Sequence, residues 1–292
     1  MDQRTELSEF LRSRRARLSP ADVGMAPHGG RRRVPGLRRE ELAQLAGVSV
    51  AYYTRLEQGR GQGVSAAVLD AIATALRLTR AEREHLEHLA RPSTKKRAPG
   101  ARTLGIRPAV QHLLDSMDST PAYVLGPRLD IIAWNRLARA LLGDFPAMSP
   151  QQRNMAWQLF LRPETRELYV DWAGKAADVV ALLRLYAGRC PDDPRLAALV
   201  GELSVKSEEF RALWAAHNVQ DKCFGVKRLH HPVVGPLTLL CESLVLPGDQ
   251  GQQIVTYCAE PGTPSAESLR LLASWSLEEA EGQGERASRS GA

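Results

Sequence analysis

The chain lacks the signals of membrane insertion, secretion and the common enzyme classes. No apolar run reaches the roughly 18 residues that suggest a transmembrane helix, and the polar start MDQRTELSEF has no apolar signal-peptide region. Walker A, GxGxxG, GxSxG and HExxH motifs are missing as well, which argues against a common nucleotide-dependent enzyme, hydrolase or zincin. We therefore predict a protein that stays in the cytoplasm, is not an enzyme, has no catalytic residues and has no membrane partner.

Cysteine is also scarce. The four cysteines all lie in the second half of the chain, at Cys190, Cys223, Cys241 and Cys258. They are too far apart for a CxxC motif, and with the nearby histidines they match no standard spacing of zinc ligands. We therefore predict no metal site, and free thiols in a reducing compartment. Redox sensing by a cysteine pair is the alternative role for these residues.

Charge is divided unevenly along the 292 residues. Residues 1–105 carry 20 basic and 11 acidic side chains, whereas the remainder carries 19 basic and 22 acidic ones. A basic region attracts phosphate groups and binds nucleic acid in a salt-dependent way, and a chain of this length is expected to form two domains. We therefore expect double-stranded DNA to be the partner of the N-terminal part.

The stretch LRREELAQLAGVSVAYYTRLEQG, residues 37–59, has the pattern of two short helices joined by a tight turn. Ala43 is small where the helices would cross, and Gly47 stands where the turn needs a positive φ, which costs glycine little. Ser49 is placed to cap the second helix, whose Tyr53 and Leu56 face inward. This spacing predicts a helix-turn-helix, whose second helix enters the DNA major groove. An ordinary helical hairpin without a DNA role is the alternative.

The outward side of that second helix would carry the base contacts. Arg55 is placed to pair bidentately with a guanine edge, and Val50 or Ala51 to touch a thymine methyl group. A phosphate contact alone is the alternative role of Arg55. The predicted DNA-binding residues are Arg38, Arg39, Ser49, Val50, Ala51, Thr54, Arg55, Gln58 and Arg60.

Helical spacing predicts three more helices in this part, one before the motif and two after it. Leu7, Phe10 and Leu11 mark the first, and Thr79 with Glu82 forms a capping box at the start of the last. The first helix also carries a cluster of arginines that favours DNA binding, namely Arg12, Arg14, Arg15 and Arg17.

Composition changes after this all-α region, because all five tryptophans lie beyond it. We place the helix-turn-helix domain at 1–92, a basic, proline-broken linker at 93–105, a second domain at 106–280 and a disordered tail at 281–292. Apolar patterning in the second domain predicts strands at 122–125, 129–134, 225–231, 237–246 and 253–259. The order of strands and helices predicts an antiparallel five-stranded sheet covered by helices, and hence an α+β multidomain chain.

Two family resemblances together cover nearly the whole chain. The N-terminal part resembles the lambda-repressor-like, XRE-type five-helix fold in LAQLAGVS, in YYTRLEQG and in the two later helices. It departs from many members at Arg38 and Arg39, where they carry Ser-Gln or Thr-Gln and where arginine would bind phosphate. The second half resembles the MmyB-like, PAS-like ligand-binding domain in PAYVLGPRLDIIAWNRLARALL, RELYVDWAGKAADVVALLR and HHPVVGPLTLLCESLVLPGDQGQQIVTYCAEPGTPSAESLRLL.

The resemblance implies a bacterial transcription regulator that binds a DNA operator as a homodimer and is nucleoid-associated when bound. It further implies that the PAS-like domain holds a small apolar effector of the fatty-acid class, and it implies no other cofactor. Seven side chains are candidates to line that site, although ordinary core packing would explain each one alone. They are Tyr123, Leu125, Ile131, Trp157, Phe160, Tyr169 and Trp172. As alternatives, this domain would serve dimerisation, binding of a protein partner or redox sensing.

Overall fold

The computed structural model describes residues 3–25, 36–61, 63–91, 105–220, 224–248 and 251–290, with side chains up to Leu277. The chain forms two compact units. Unit 1 comprises Met1–Gly100, Val180–Ser204 and Glu208–Asp221, and unit 2 comprises Ala101–Val179, Val205–Ser207 and Lys222–Ala292. Two later segments, 180–204 and 208–221, thus group with the N-terminal helices in unit 1. The predicted linker lies outside the described residues, apart from Gly105.

Unit 1 begins with five α-helices, as the sequence predicts. They are α1 (Gln3–Arg17), α2 (Arg39–Leu45), α3 (Val50–Glu57), α4 (Ala66–Ala75) and α5 (Arg80–Ala90), with a short 3-10 helix at Ala21–Val23. Side chains cap the last two of these helices. Ser65 Oγ accepts a hydrogen bond from the Val68 N–H at 3.3 Å. Thr79 and Glu82 form the predicted capping box, with bonds of 2.9 and 3.3 Å. The caps satisfy N–H groups that a first helical turn leaves without partners.

The apolar faces of these five helices converge on one core. Phe10, Leu42, Tyr53 and Ile72 come from four different helices, and each has no exposed surface. Complete burial of a leucine, isoleucine or phenylalanine contributes about 1.5–3 kcal/mol. Packing of this core, more than the helices' own propensity, therefore holds such short helices in place.

Residues 105–290 contribute the remaining elements. The helices are α6 (Pro108–Asp115), α7 (Arg136–Leu142), α8 (Met155–Leu161), α9 (Pro163–Leu168), α10 (Trp172–Arg189), α11 (Pro194–Lys206), α12 (Glu208–Ala215) and α13 (Pro264–Ser290), with a 3-10 helix at Phe145–Ala147. The strands are β1 (Ala122–Leu125), β2 (Ile131–Trp134), β3 (Gly225–His231), β4 (Gly235–Val245) and β5 (Gln253–Cys258). Where a disordered tail is predicted from residue 281, α13 continues to Ser290. None of the described helices is both long enough and apolar enough to cross a membrane.

The five strands form one antiparallel sheet in the order β2-β1-β5-β4-β3, which confirms the α+β fold predicted for this region. Tyr123 of β1 lies opposite Trp134 of β2 and Val255 of β5. Tyr257 of β5 lies opposite Cys241 of β4, and both are buried. Because alternate residues of a strand point to one face, Tyr123, Val255 and Tyr257 share a buried face of the sheet.

The opposite face of the sheet is covered by α6 at one end. Val110 of α6 belongs to a buried cluster with Val124 and Ile254 of the sheet. Toward the other end, the paired residues Val226 and Leu240 are 60% and 51% exposed. Within the described residues, this face is therefore partly apolar and partly open.

Asn135 fixes the junction between β2 and α7. Its Oδ1 accepts from the N–H groups of Ala138 at 2.8 Å and Ala122 at 3.1 Å, as the predicted cap of α7 and as a link to β1. Its Nδ2 donates to the carbonyls of Met117 and Thr120 at 2.9 and 2.7 Å. One buried amide therefore bonds to four backbone groups, and each of its polar atoms has partners.

The later segments of unit 1 pack onto its N-terminal helices. Val219 is buried in the same apolar core as α1 to α5, and Gly188 of α10 lies against His85 of α5, with an ideal Cβ only 2.4 Å from His85 Nδ1. The His85 ring meets the edge of the Phe10 ring at 5.0 Å. Burial, together with nearby arginine charges, lowers the pKa of His85 to about 3. At neutral pH this contact is therefore a packing contact with an uncharged ring.

Replacing Gly188 by alanine should destabilise unit 1, although alanine is the better helix former. The added methyl group would overlap the buried ring of His85, and overpacking of this kind costs about 1–3 kcal/mol. Gly201→Ala on α11 is the matched control, because a Cβ there meets no atom within 4 Å and alanine should stabilise by about 0.5–1 kcal/mol. Urea unfolding measures both variants, and equal effects at the two glycines would contradict this packing.

Candidate nucleic-acid interface and effector domain

The turn between α2 and α3 has the predicted geometry. Gly47 has a φ of +64°, and its N–H bonds to the Gln44 carbonyl at 3.2 Å, which ends α2. Two residues later, Ser49 Oγ accepts from the Tyr52 N–H at 3.1 Å and so begins α3. The backbone and capping features of the predicted helix-turn-helix are thus confirmed.

Helix α3 has a buried side and an exposed side. Tyr53 and Leu56 face the core, with 0% and 1% exposure. Arg55 is exposed, and its guanidinium lies 5.8 Å from the centre of the Tyr52 ring. The other predicted contact residues in and beside the helix are exposed at Ser49, Val50, Ala51, Gln58 and Arg60, and half-buried at Thr54. The predicted outward face is therefore presented on the surface of unit 1.

The two arginines at the start of α2 have different surroundings. The backbone N–H of Arg38 donates to Glu41 Oε2 at 2.7 Å, which caps the helix. The Arg39 guanidinium is paired with the buried carboxylate of Glu57, the last residue of α3. That hydrogen bond and the charge of Glu57 raise the pKa of Arg39. Nearly half of the Arg39 side chain stays exposed, so Glu57 holds it at the surface beside α3.

Sequence reasoning did not identify Glu57 as a structural residue. Its carboxylate also binds Arg15 of α1, with Oε1 2.8 Å from Nη2, and only 1% of the Glu57 side chain is exposed. A signal was available, because Glu57 lies four residues after the core residue Tyr53, on the buried side of the helix.

The arginine cluster of α1 is not a uniform cationic surface. Arg12 and Arg17 are exposed, whereas Arg15 binds Glu57. Arg14 is only 2% exposed, and its Nε lies 2.9 Å from Glu82 Oε1. The interpretation that all four favour DNA binding is therefore wrong for Arg14, whose charge is neutralised inside the unit.

Two of the predicted effector residues, Tyr123 and Tyr169, meet at Tyr257 in unit 2. The rings of Tyr123 and Tyr257 stack with their centres 6.3 Å apart, and the hydroxyl groups of Tyr169 and Tyr257 are 3.4 Å apart. Burial, reinforced by the neighbouring phenols, raises the pKa of Tyr257 well above its usual value. The cluster is thus an uncharged polar patch in an apolar interior. Sequence reasoning missed Tyr257, although its alternation in β5 places it on the same face as Val255.

The remaining predicted effector residues form separate contacts. Leu125 and Ile131 are buried and lie opposite each other on β1 and β2. Phe160 and Trp172 are half-buried and meet edge to face at 5.7 Å, and the Trp172 indole N–H donates to the Leu159 carbonyl at 3.0 Å. The last member, Trp157, is half-buried on α8. These contacts place the seven residues in several groups.

An open groove lies elsewhere, in unit 1. It is lined by Val23, Leu45, Ala71, Thr74, Ala75 and Arg77. None of the seven predicted effector residues belongs to it. Within the described part of the chain, no group of three or more histidine, cysteine, aspartate or glutamate residues is arranged to hold a metal ion.

A helix-turn-helix with an exposed recognition helix, joined to a separate α+β unit, defines the class of two-part DNA-binding regulators. Comparison with protein families agrees with this architecture. Residues 6–86 match a helix-turn-helix domain family, and residues 106–272, more than half of the chain, match the MmyB-like transcription regulator ligand binding domain. The chain therefore belongs to the MmyB-like transcription regulators. A search of curated proteins found no match.

The Glu57→Ala variant should be strongly destabilised. It would leave the Arg15 guanidinium, whose side chain is only 12% exposed, without its carboxylate, and breaking a buried pair in this way costs about 3–5 kcal/mol. Glu40→Ala is the control, because Glu40 is an exposed carboxylate in the first turn of α2 and its removal costs about 0.3–1 kcal/mol. Thermal and urea unfolding give both values. Similar losses for the two variants would show that Glu57 has no special structural role.

Proposed function

We propose that this transcription regulator reads its operator through the outward face of α3. The observation that carries the proposal is the separation of buried and exposed side chains on that helix, with Arg55, Ala51 and Val50 on the surface. A guanidinium can pair with the guanine edge, and small apolar groups can contact thymine methyls. Arg38, Arg39 and Arg60 would bind phosphates on either side and set the register of the helix in the groove.

We further propose that the regulator binds as a homodimer. Helix-turn-helix proteins commonly place two recognition helices in successive major grooves, about 34–36 Å apart. The operator would then contain an inverted repeat with half-site centres about one helical turn apart.

Arg55→Ala should abolish the base preference at the position that Arg55 contacts while the fold is retained, because Arg55 lies outside the core. A random-sequence duplex library is selected with the full wild-type chain, and the enriched duplex is the probe. We expect the variant to lose about 1–3 kcal/mol of discrimination at one base pair per half-site.

Arg80→Ala is the charge-matched control for this experiment. The side chain of Arg80 is 89% exposed on α5, so its removal deletes the same charge outside α3. It should lower affinity for all duplexes slightly and keep the preference. An unchanged base preference in Arg55→Ala would refute the assigned role, and an enriched duplex without an inverted repeat would refute the homodimer.

For unit 2 we propose a small apolar effector of the fatty-acid class. The support is its aromatic interior, in which phenol groups at Tyr169 and Tyr257 offer polar contacts among apolar surfaces. Ligand sites commonly combine an apolar lining with a few such groups. Effector binding would regulate transcription only if the effector has unequal affinity for the DNA-competent and incompetent states.

Native mass spectrometry of the purified full chain, followed by titration with the fluorescent fatty acid cis-parinaric acid, tests the effector proposal. Phe160→Ala should weaken probe binding about tenfold, the loss expected for one aromatic contact. Val170→Ala, at a position 59% exposed, should leave it unchanged. Equal binding by both variants would exclude Phe160 from the site. Absence of both a bound small molecule and probe binding would favour dimerisation, a protein partner or cysteine redox sensing for unit 2.

A further inference from the structure

Unit 1 contains a buried network of charged and polar groups that takes no part in the proposed DNA contact. It joins α1 and α5 to α10 and to the segment that follows α12. We call this network the buried bridge. Its members are Glu6, Arg14, Glu82, Arg184 and His217.

Arg184 of α10 is the centre of the bridge. It is only 1% exposed, and its Nη1 donates to the carboxylate of Glu6 on α1 and lies 2.9 Å from His217 Nδ1. Its Nη2 donates to the Trp214 carbonyl, and its guanidinium carbon lies 4.0 Å from the centre of the Trp214 ring. One guanidinium thus binds α1, α12 and the chain after α12 at the same time.

Arg14 closes the bridge from the side of α1. Its Nη2 donates to the His217 carbonyl, and its Nε lies 2.9 Å from Oε1 of Glu82, which forms the capping box of α5 with Thr79. The backbone of His217 has a φ of +52°, a left-handed conformation that costs free energy for a residue with a side chain. The surrounding bonds hold it there.

The ring of His217 fits the bridge in its uncharged form. Burial and the charges of Arg184 and Arg14 lower its pKa to about 4. An uncharged imidazole with its proton on Nε2 can donate to Glu9 Oε2, 3.0 Å away, and accept from Arg184 at Nδ1. The bridge is therefore hydrogen-bonded in one defined protonation state at neutral pH.

Helix α1 connects the bridge to the recognition helix. Arg15, the neighbour of Arg14, donates from Nη1 to the Leu37 carbonyl at 2.6 Å and binds Glu57 at the end of α3. Helix α10, which carries Arg184, lies wholly within the region that matches the ligand-binding family. Its first residues, from Trp172 to Val179, belong to unit 2. A continuous set of polar contacts therefore runs from α10 through α1 to α3.

We propose that the buried bridge is the coupling element between the effector region and the DNA-reading helix. A change that displaces α10 would have to break the bond between Arg184 and Glu6, and leaving one buried charge without its partner is strongly unfavourable. The bridge would therefore favour two discrete arrangements of α1 over gradual movement. This inference rests on the proposed DNA-binding function, and coupling of this kind is reciprocal, so DNA binding must also act on α10.

Hydrogen exchange of the full wild-type chain, with and without the duplex enriched by selection, tests this reciprocity. We expect the duplex to slow amide exchange in residues 180–189 and 212–220 about fivefold or more. Helix α11 serves as an internal reference, because it belongs largely to unit 1 but contributes nothing to the bridge. The coupling proposal would be overturned if the duplex slowed amide exchange equally in α11, or if it did not slow exchange in residues 180–189 and 212–220. Either result would leave the DNA-binding function intact.

The paired variant Glu6→Gln with Arg184→Met removes both charges and so avoids leaving one of them alone. This variant should still bind the duplex, and the duplex should still slow amide exchange in α3 but no longer in residues 180–189.

Glu84→Gln with Arg189→Gln is the matched control, since this exposed pair also joins α5 to α10, at 3.4 Å. Its loss should leave the slowed exchange of residues 180–189 intact. Retained protection in the first variant would contradict the coupling role. If the Glu6→Gln, Arg184→Met variant does not fold, the exchange measurement on the wild-type chain decides. Failure to enrich any duplex would overturn both the DNA-binding proposal and the coupling proposal.

Discussion

The packing of the helices in unit 1 requires a carboxylate partner for each of two adjacent arginines of α1. Arg14 and Arg15 are neighbours in sequence, but Arg14 binds Glu82 of α5 and Arg15 binds Glu57 of α3. Because an unpaired ion in a protein interior costs several kcal/mol, these two pairs strongly restrict how α1, α3 and α5 can pack. The recognition helix is consequently held with its apolar side in the core and Arg55 at the surface.

The division of the chain in sequence differs from its division in space. The ligand-binding family covers residues 106–272, yet 180–204 and 208–221 belong to the unit that contains the helix-turn-helix. Val219 lies in the core of that unit, and Arg184 binds Glu6. The sheet and the tyrosine cluster stay in unit 2. Part of the sequence that matches the ligand-binding family therefore folds within the unit that contains the helix-turn-helix.

Features stabilised by nearby residues were predictable from the sequence. Turns and helix starts are set by residues close together in sequence, as at Gly47, at Ser49 and in the capping box of Thr79 and Glu82. Their residue types are therefore sufficient to locate these features. The strand alternation likewise predicted all five strands and their antiparallel sheet. The grouping of residues 180–204 and 208–221 with the N-terminal helices was not predictable, because the contact of Arg184 with Glu6 joins positions 178 residues apart. No local pattern encodes that pairing.

The sequence by itself determined the element types, the helix-turn-helix and the family. These follow from periodicity, caps and motif spacing, all of which are local. Tertiary structure alone decided which arginines are available to DNA. Arg14 and Arg55 are both helical arginines of unit 1, but one is neutralised in the interior and the other is exposed. That difference comes from packing between distant segments, because burial and charge pairing are properties of the assembled core.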